Sequence, residues 1–142
     1  LLMQSVIPKM KDKKFGRIVN ITSAMVKNPH LIMGLSTSAR SGLHGLSKAL
    51  SREVAQFNIT INNLLPERID TDRQTQMLNL QAKLTGTSYE ESRRSLEETL
   101  SAKRMGTAEE FSGICTFLCS QQAAYISGQN ISVDGGNSTN LI

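Results

Sequence analysis

Gly16-Arg17-Ile18-Val19-Asn20-Ile21-Thr22-Ser23 is the stretch on which the reading of this chain turns. Residues 18–21 are a short apolar run, as expected for a strand buried on both faces. Upstream, residues 1–12 read as the end of a helix with Leu2, Val6, Ile7 and Met10 on a common side, broken at Phe15-Gly16. Downstream, residues 23–35 read as a loop containing Asn28-Pro29 and Gly34. Residues 37–57 give the clearest helix, because Ala39, Leu43, Leu46, Leu50, Val54 and Phe57 recur at spacings of three and four. Gly42 and Gly45 weaken that helix, which predicts close packing of another backbone against it. Residues 59–65 predict a second strand, ended by Pro66. Residues 73–103 are polar and weakly periodic, with Leu96 and Leu100 as anchors, and suggest a mobile flap. Ser88 with Glu91 and Thr107 with Glu110 form two capping boxes, each opening a helix. Phe111, Ile114, Cys115, Leu118 and Cys119 make the second of these amphipathic. Residues 130–133 form a third strand, ended by Asp134-Gly135-Gly136. Strands alternating with helices predict an α/β parallel sheet with right-handed crossovers.

Composition narrows the class. The 142 residues are 39% hydrophobic and 20% charged, a globular composition in one domain over 1–142. No apolar run approaches the ~18 residues of a membrane span. The first residues lack the basic and apolar regions of a signal peptide, and the chain begins without methionine, as a segment of a longer protein would. Cys115 and Cys119 lie on one helix face, poor geometry for a disulfide, and read as small core residues in a reducing cytoplasm. No Cys/His cluster has zinc spacing. The net charge of +4 is densest at Lys9, Lys11, Lys13, Lys14 and Arg17, where cations suit the end of a helix better than a nucleic-acid surface.

Five motifs in register carry a resemblance. The strand ending in Ser23 is followed by Ser36-Thr37-Ser38-Ala39-Arg40. Then come Pro66-Glu67-Arg68-Ile69-Asp70-Thr71, Arg104-Met105-Gly106-Thr107-Ala108-Glu109-Glu110, and Tyr125-Ile126-Ser127-Gly128-Gln129 through Asp134-Gly135-Gly136. Together they resemble the C-terminal half of a short-chain dehydrogenase/reductase, in the 3-oxoacyl-acyl-carrier-protein reductase-like branch. The resemblance implies a partial Rossmann-type doubly wound parallel sheet, comprising about the last three strands. It also implies an NAD- or NADP-dependent carbonyl or hydroxyl oxidoreductase of fatty-acid-metabolism type. The Gly-rich turn that binds the dinucleotide pyrophosphate lies in the other half, so the chain alone is expected to bind neither cofactor tightly.

Within that resemblance Ser23 stands at the catalytic serine. In the family a Tyr-x-x-x-Lys motif commonly starts thirteen residues later, and here those positions hold Ser36 and Arg40. The family's tyrosine protonates the carbonyl oxygen, helped by the lysine, which also holds the nicotinamide ribose. An aliphatic hydroxyl is a weaker acid with less reach, while Arg40 keeps the charge and can donate to ribose hydroxyls. Ser36 reads either as a residual donor or as a helix N-cap. Ser23 reads as a ligand of the substrate oxygen or as a loop-backbone partner. Pro66, Ile69 and Thr71 match cofactor-contacting positions with Ser36 and Arg40. His30 lies in the substrate-pocket loop and is a substitute acid candidate. His44 reads as a surface or interface residue. Glu67 stands at a family glycine and is strained there if the turn needs positive φ. The implied partners are a small-molecule or carrier-bound carbonyl substrate and a second copy of the chain in a homo-oligomer, with residues 18–21 and 37–57 as its contacts and with neither nucleic acid nor membrane. The alternative is a non-catalytic fragment or interaction module of the same fold.

Overall fold

The computed structural model describes residues 2–141. In chain order the elements are α1 (Leu2–Asp12), β1 (Gly16–Ile21), single 3₁₀ turns at Ala24–Val26 and Leu31–Met33, and α2 (Gly34–Val54) with a terminal 3₁₀ turn at Ala55–Phe57. Then follow β2 (Ile59–Pro66), α3 (Asp72–Thr85), α4 (Tyr89–Thr99), α5 (Ala108–Cys119) and β3 (Asn130–Val133). The sheet order is β1-β2-β3 and both pairings are parallel, as the strand and helix pattern predicted.

β2 is the central strand, and its residues 59–65 are all buried. Alternation along it divides the core. Ile59 and Ile61 pack with Ile7 of α1 and Val54 of α2, joined by Met3, Met10, Ile18, Leu50 and Phe57. Leu64 faces the opposite layer, against Leu118 of α5 and Ala123, with Val19 and Ile114 at the margin. Helices thus cover both faces, which is why apolar residues of β2 are buried on either side of the sheet. Gly16 is required where α1 turns into β1, since a Cβ there would sit 2.6 Å from Met10 Sδ.

A polar ladder crosses the sheet at one level. Asn20, Asn63 and Asn130 are aligned in the strand register. Asn20 Nδ2 donates to Asn63 Oδ1 at 2.9 Å and to Ser47 Oγ at 3.0 Å, and Asn63 Nδ2 donates to Asn130 Oδ1 at 2.7 Å. Neighbouring Asn62 turns the other way, donating to Ile126 O and accepting from Gln129 N.

This ladder explains where the sequence reading of α2 fails. The face of α2 turned inward carries His44, Ser47, Ser51 and Val54, whereas Ala39 and Leu46 are exposed. Small hydroxyl side chains let the helix approach the polar strand level and satisfy it, so apolar periodicity misplaces the buried stripe. Gly42 and Gly45 have nothing within 4 Å of a Cβ position, so among the described residues no backbone packs on them in the way the sequence predicted. Leu2, expected on the buried side of α1, is exposed, and Met3 packs instead.

The 73–103 segment, read as a flap with one helix opened by Ser88, holds two helices, α3 and α4, packed as a hairpin. Thr71 caps α3, and Leu78, Leu100 and Met105 form a small core beneath it with Tyr89 and Leu96. Both capping boxes are present as read. Of the two cysteines expected in the core, Cys119 is exposed and Cys115 half-buried; both are free. Burial, then Cys119 beside it, raises the Cys115 thiol.

Candidate active-site cleft

A cavity of about 270 Å³ opens at the carboxyl ends of β1 and β2. Ser23, Asn28 and His30 line it from the β1–α2 segment, Pro66, Glu67 and Arg68 from the end of β2, and Gln74 from the first turn of α3. Ligands of open α/β sheets bind at this end of the strands. The structure therefore brings together Ser23, His30 and Pro66 among the residues singled out from sequence. Asn28, Arg68 and Gln74 join them without a sequence signal: Asn28 comes from the β1–α2 segment, Arg68 from a left-handed position after β2, and Gln74 from the first turn of α3.

Ser23 sits in extended backbone directly after β1, and its Oγ accepts a hydrogen bond from Met25 N at 3.3 Å. It thus caps the first 3₁₀ turn while facing the cleft. Ser36 and Arg40 do not line this cavity. The Arg40 Nη1 group donates to Ser36 O at 3.2 Å and to Ser36 Oγ, so the two residues satisfy each other across one helical turn. The N-cap reading of Ser36 is wrong: α2 starts at Gly34, continuing from the 3₁₀ turn, and Ser36 lies inside its first turn.

The loop after β2 is fixed at several points. Glu67 N donates to Val133 O, and Asn137 Nδ2 donates to the Glu67 carboxylate at 2.9 Å. The left-handed residue is not Glu67 but Arg68, at φ 53°. The glycine position therefore tolerates a side chain, and the strain falls one residue later. Ile69 pairs with Gly106, flanked by bonds from Asp70 N to Gly106 O and from Gly106 N to Arg68 O. The Thr71 hydroxyl accepts from Gln74 N as the cap of α3. Arg93 of α4 ties to Asp70 at 2.7 Å and to Glu97 at 3.0 Å. The hydrogen bond to Asp70 heads the causes that raise its already high pKa. Below the loop, Arg104 pairs with Glu110 at 2.6 Å and, with the Thr107 backbone, holds that carboxyl down to about 2.

His44 corrects the sequence reading, which placed it on the surface. It is buried, with Nε2 2.9 Å from Thr22 Oγ1, and Thr22 Oγ1 donates to Leu64 O at 3.2 Å. Nδ1 has no partner among the described residues. Burial, then nearby Lys27, lowers the His44 pKa, so the ring is held neutral. Nothing in the helical periodicity marks this position as internal.

Among the described residues no three His, Cys, Asp or Glu side chains cluster as a metal site requires, and no helix is long and apolar enough to cross a membrane. Residues 1–138 match the family model described as enoyl-(acyl carrier protein) reductase. The chain belongs to the short-chain dehydrogenase/reductase family. It is 38% identical over 128 residues to the NADPH-dependent reductase BacG of Bacillus subtilis (strain 168), covering 90% of this chain and 49% of that protein. It is 32% identical over 136 residues to the 3-oxoacyl-acyl-carrier-protein reductase FabG of Aquifex aeolicus (strain VF5), covering 96% and 50%. The crystal structure of L-sorbose reductase from Gluconobacter frateurii, complexed with NADPH and L-sorbose, superposes with a TM-score of 0.91 at 28% identity, over 99% of this chain and 54% of that one. The chain thus spans about half the length of the curated relatives it matches.

Proposed function

We propose that this chain is the substrate-side half of an NAD(P)-dependent carbonyl oxidoreductase, acting on a small-molecule or carrier-bound carbonyl. The observation that carries this reading is the cleft itself. It places the serine that follows β1 opposite the proline that ends β2, at the carboxyl ends of two parallel strands. The names of the relatives favour NADPH as the dinucleotide.

The residues present fit the nicotinamide end of such a cofactor. The cleft opens directly beside Pro66, and Arg40 offers a cation whose present partners, Ser36 O and Oγ, belong to its own helix and can be exchanged for ribose hydroxyls. Arg40, Pro66, Ile69 and Thr71 would hold that end. No Gly-rich phosphate loop occurs in these residues, so the pyrophosphate needs groups from outside them. When bound, the dinucleotide supplies hydride chemistry. Ser23 orients the substrate oxygen. Ser36 is a poor acid at the family's tyrosine position, so His30, which lines the cleft beside the Asn137-bonded Glu67, is the group proposed to deliver a proton.

One observation favours the second reading, a non-catalytic module of the same fold: Arg40 is turned onto Ser36 rather than into the cleft. We place the protein in the cytoplasm, away from membrane and nucleic acid. We infer a homo-oligomer, because Ile21 at the open edge of β1 is 63% exposed and the outer face of α2 is bare at Gly42 and Gly45.

The test is cofactor binding and turnover. Calorimetry on the isolated 142 residues should show no micromolar affinity for NAD or NADP. Joined to the family's cofactor-binding half, the chain should bind NADPH, and Ser36→Tyr with Arg40→Lys should raise ketone reduction. Failure of the joined protein to bind NADPH contradicts the oxidoreductase reading.

A further inference from the structure

Arg68 and Gln74 of the polar cleft also line a second cavity of about 280 Å³, with Met77, Leu80 and Leu84 of α3 and Leu96 of α4. Its walls are mainly apolar, and Met77, Leu80 and Leu84 are respectively 48%, 52% and 79% exposed. A polar chamber lined by Ser23 and His30 and a mainly apolar groove therefore share Arg68 and Gln74 as a common wall.

Arg68 is unusual in three respects. Its backbone is left-handed at φ 53°, a conformation that glycine or asparagine adopts at less cost. Its guanidinium makes no hydrogen bond or ion pair among the described residues, although Arg93 and Arg104 nearby are both paired. It is also the cation common to both cavities. Glu67 is the one carboxylate in the polar chamber, and Asn137 Nδ2 already donates to it. A strained residue with a free planar donor in the wall shared by two cavities fits a carboxylate, which it can bind in a bidentate fashion.

We propose that Arg68 is a specificity-determining residue, and that the cleft takes an amphiphilic anion. A carboxylate pairs with the guanidinium at the shared wall, the reacting carbonyl points towards Ser23 and His30, and an aliphatic body lies along Met77, Leu80 and Leu84. At about 30 Å³ for each water-sized group, the groove holds a chain on the order of eight carbons. The inference rests on the cleft being the substrate site, and it concerns binding rather than turnover.

The experiment titrates the 142-residue chain with octanoate, its uncharged counterpart octanamide, and acetate. Binding is followed through the methionine methyl resonances. Octanoate should saturate and shift the Met77 methyl, while buried Met105 stays put. Octanamide should bind at least tenfold more weakly, a difference of about 1.4 kcal/mol, and acetate should not saturate in the same range. Arg68→Gly removes the donor and relieves the backbone, so the fold is kept. It should weaken octanoate at least tenfold and leave octanamide unchanged. Leu84→Gln, at an exposed position, should weaken both. Raising the salt should weaken octanoate alone. Equal affinities for octanoate and octanamide, an unchanged Kd in Arg68→Gly, or no octanoate binding each overturn the proposal. Because neither cofactor nor turnover is involved, loss of octanoate binding beside intact ketone reduction by the joined protein removes only this inference. The reverse pattern removes the oxidoreductase reading and leaves the anion site.

Discussion

Replacing Asn63 by leucine should break the ladder that sets the register beneath the cleft. The two side chains are close in volume, so the change leaves little cavity and isolates the hydrogen bonds. Asn20 Nδ2 loses its 2.9 Å acceptor and keeps only Ser47 Oγ, inside a half-buried environment. Asn130 Oδ1 loses its 2.7 Å donor, but Asn130 is exposed and water can take that place. A stranded buried polar group costs about 1–3 kcal/mol, and a bond replaced by water about 1 kcal/mol. Together these come to about 2–4 kcal/mol. Urea unfolding should show this as a midpoint lowered by about 1–2 M at unchanged slope, taking a slope of about 2 kcal/mol per M. Asn20→Ala combined with Asn63→Leu should cost less than the two single changes added, since they remove the same bond. A loss below about 0.5 kcal/mol in Asn63→Leu, or full additivity in the pair, would refute the claim that the ladder bears load. Register matters to the site because a one-residue slip of β1 on β2 would move Ser23 away from Pro66 and invert every face of the strand.

Further outcomes follow from individual residues. Arg68→Gly should raise stability by about 1 kcal/mol, read as a higher Tm, because glycine adopts φ 53° without a Cβ clash; a lower Tm would mean that the guanidinium has a structural partner. His44 is held neutral below its ordinary pKa of 6.5, so the unfolded chain takes up its proton first as pH falls. Stability should therefore drop from pH 6.5 downward with a slope of at most about 1.4 kcal/mol per pH unit for this proton, until the folded ring is itself protonated. His44→Gln, whose amide nitrogen can donate to Thr22, should flatten that part of the profile; an unchanged profile would show that another group carries it. Glu110, held down to about 2, contributes stability that is present above pH 4.5 and lost as pH falls from there towards 2, and Glu110→Gln should remove this part of acid unfolding. Thr107→Ala should cost about 1 kcal/mol by thermal unfolding through loss of the α5 cap, and no loss would mean that Glu110 alone holds the helix end.

The parallel three-strand sheet was legible because each strand is rich in Ile, Val or Leu and lies between turn and helix signals, and because capping boxes mark helix starts by chemistry rather than by periodicity. The inner face of α2 was not legible. His44 and Ser47 are buried against polar partners, Thr22 just after β1 and Asn20 within it, while Ser51 donates to Lys48 O of its own helix; hydropathy cannot register polar groups that satisfy each other. The α3 helix was lost in a polar stretch whose apolar residues, Met77, Leu80 and Leu84, face the groove instead of the core. In the cleft, Ser23, His30 and Pro66 could be named from motif positions. Gln74 and Arg68 could not, since they arrive through the docking of the α3–α4 hairpin and through a left-handed residue that falls one place later than the motif suggested.

We propose that the cleft belongs to a carbonyl oxidoreductase in which Ser36 and Arg40 stand at the family's tyrosine and lysine positions. The most direct test is ketone reduction by NADPH in the chain joined to a cofactor-binding half, followed by loss of the reduced-nicotinamide absorbance. Ser36→Tyr with Arg40→Lys should raise the turnover by about 10²-fold or more, the range expected for restoring a positioned general acid. A parent already turning over at a rate that this double substitution leaves unchanged would contradict the account.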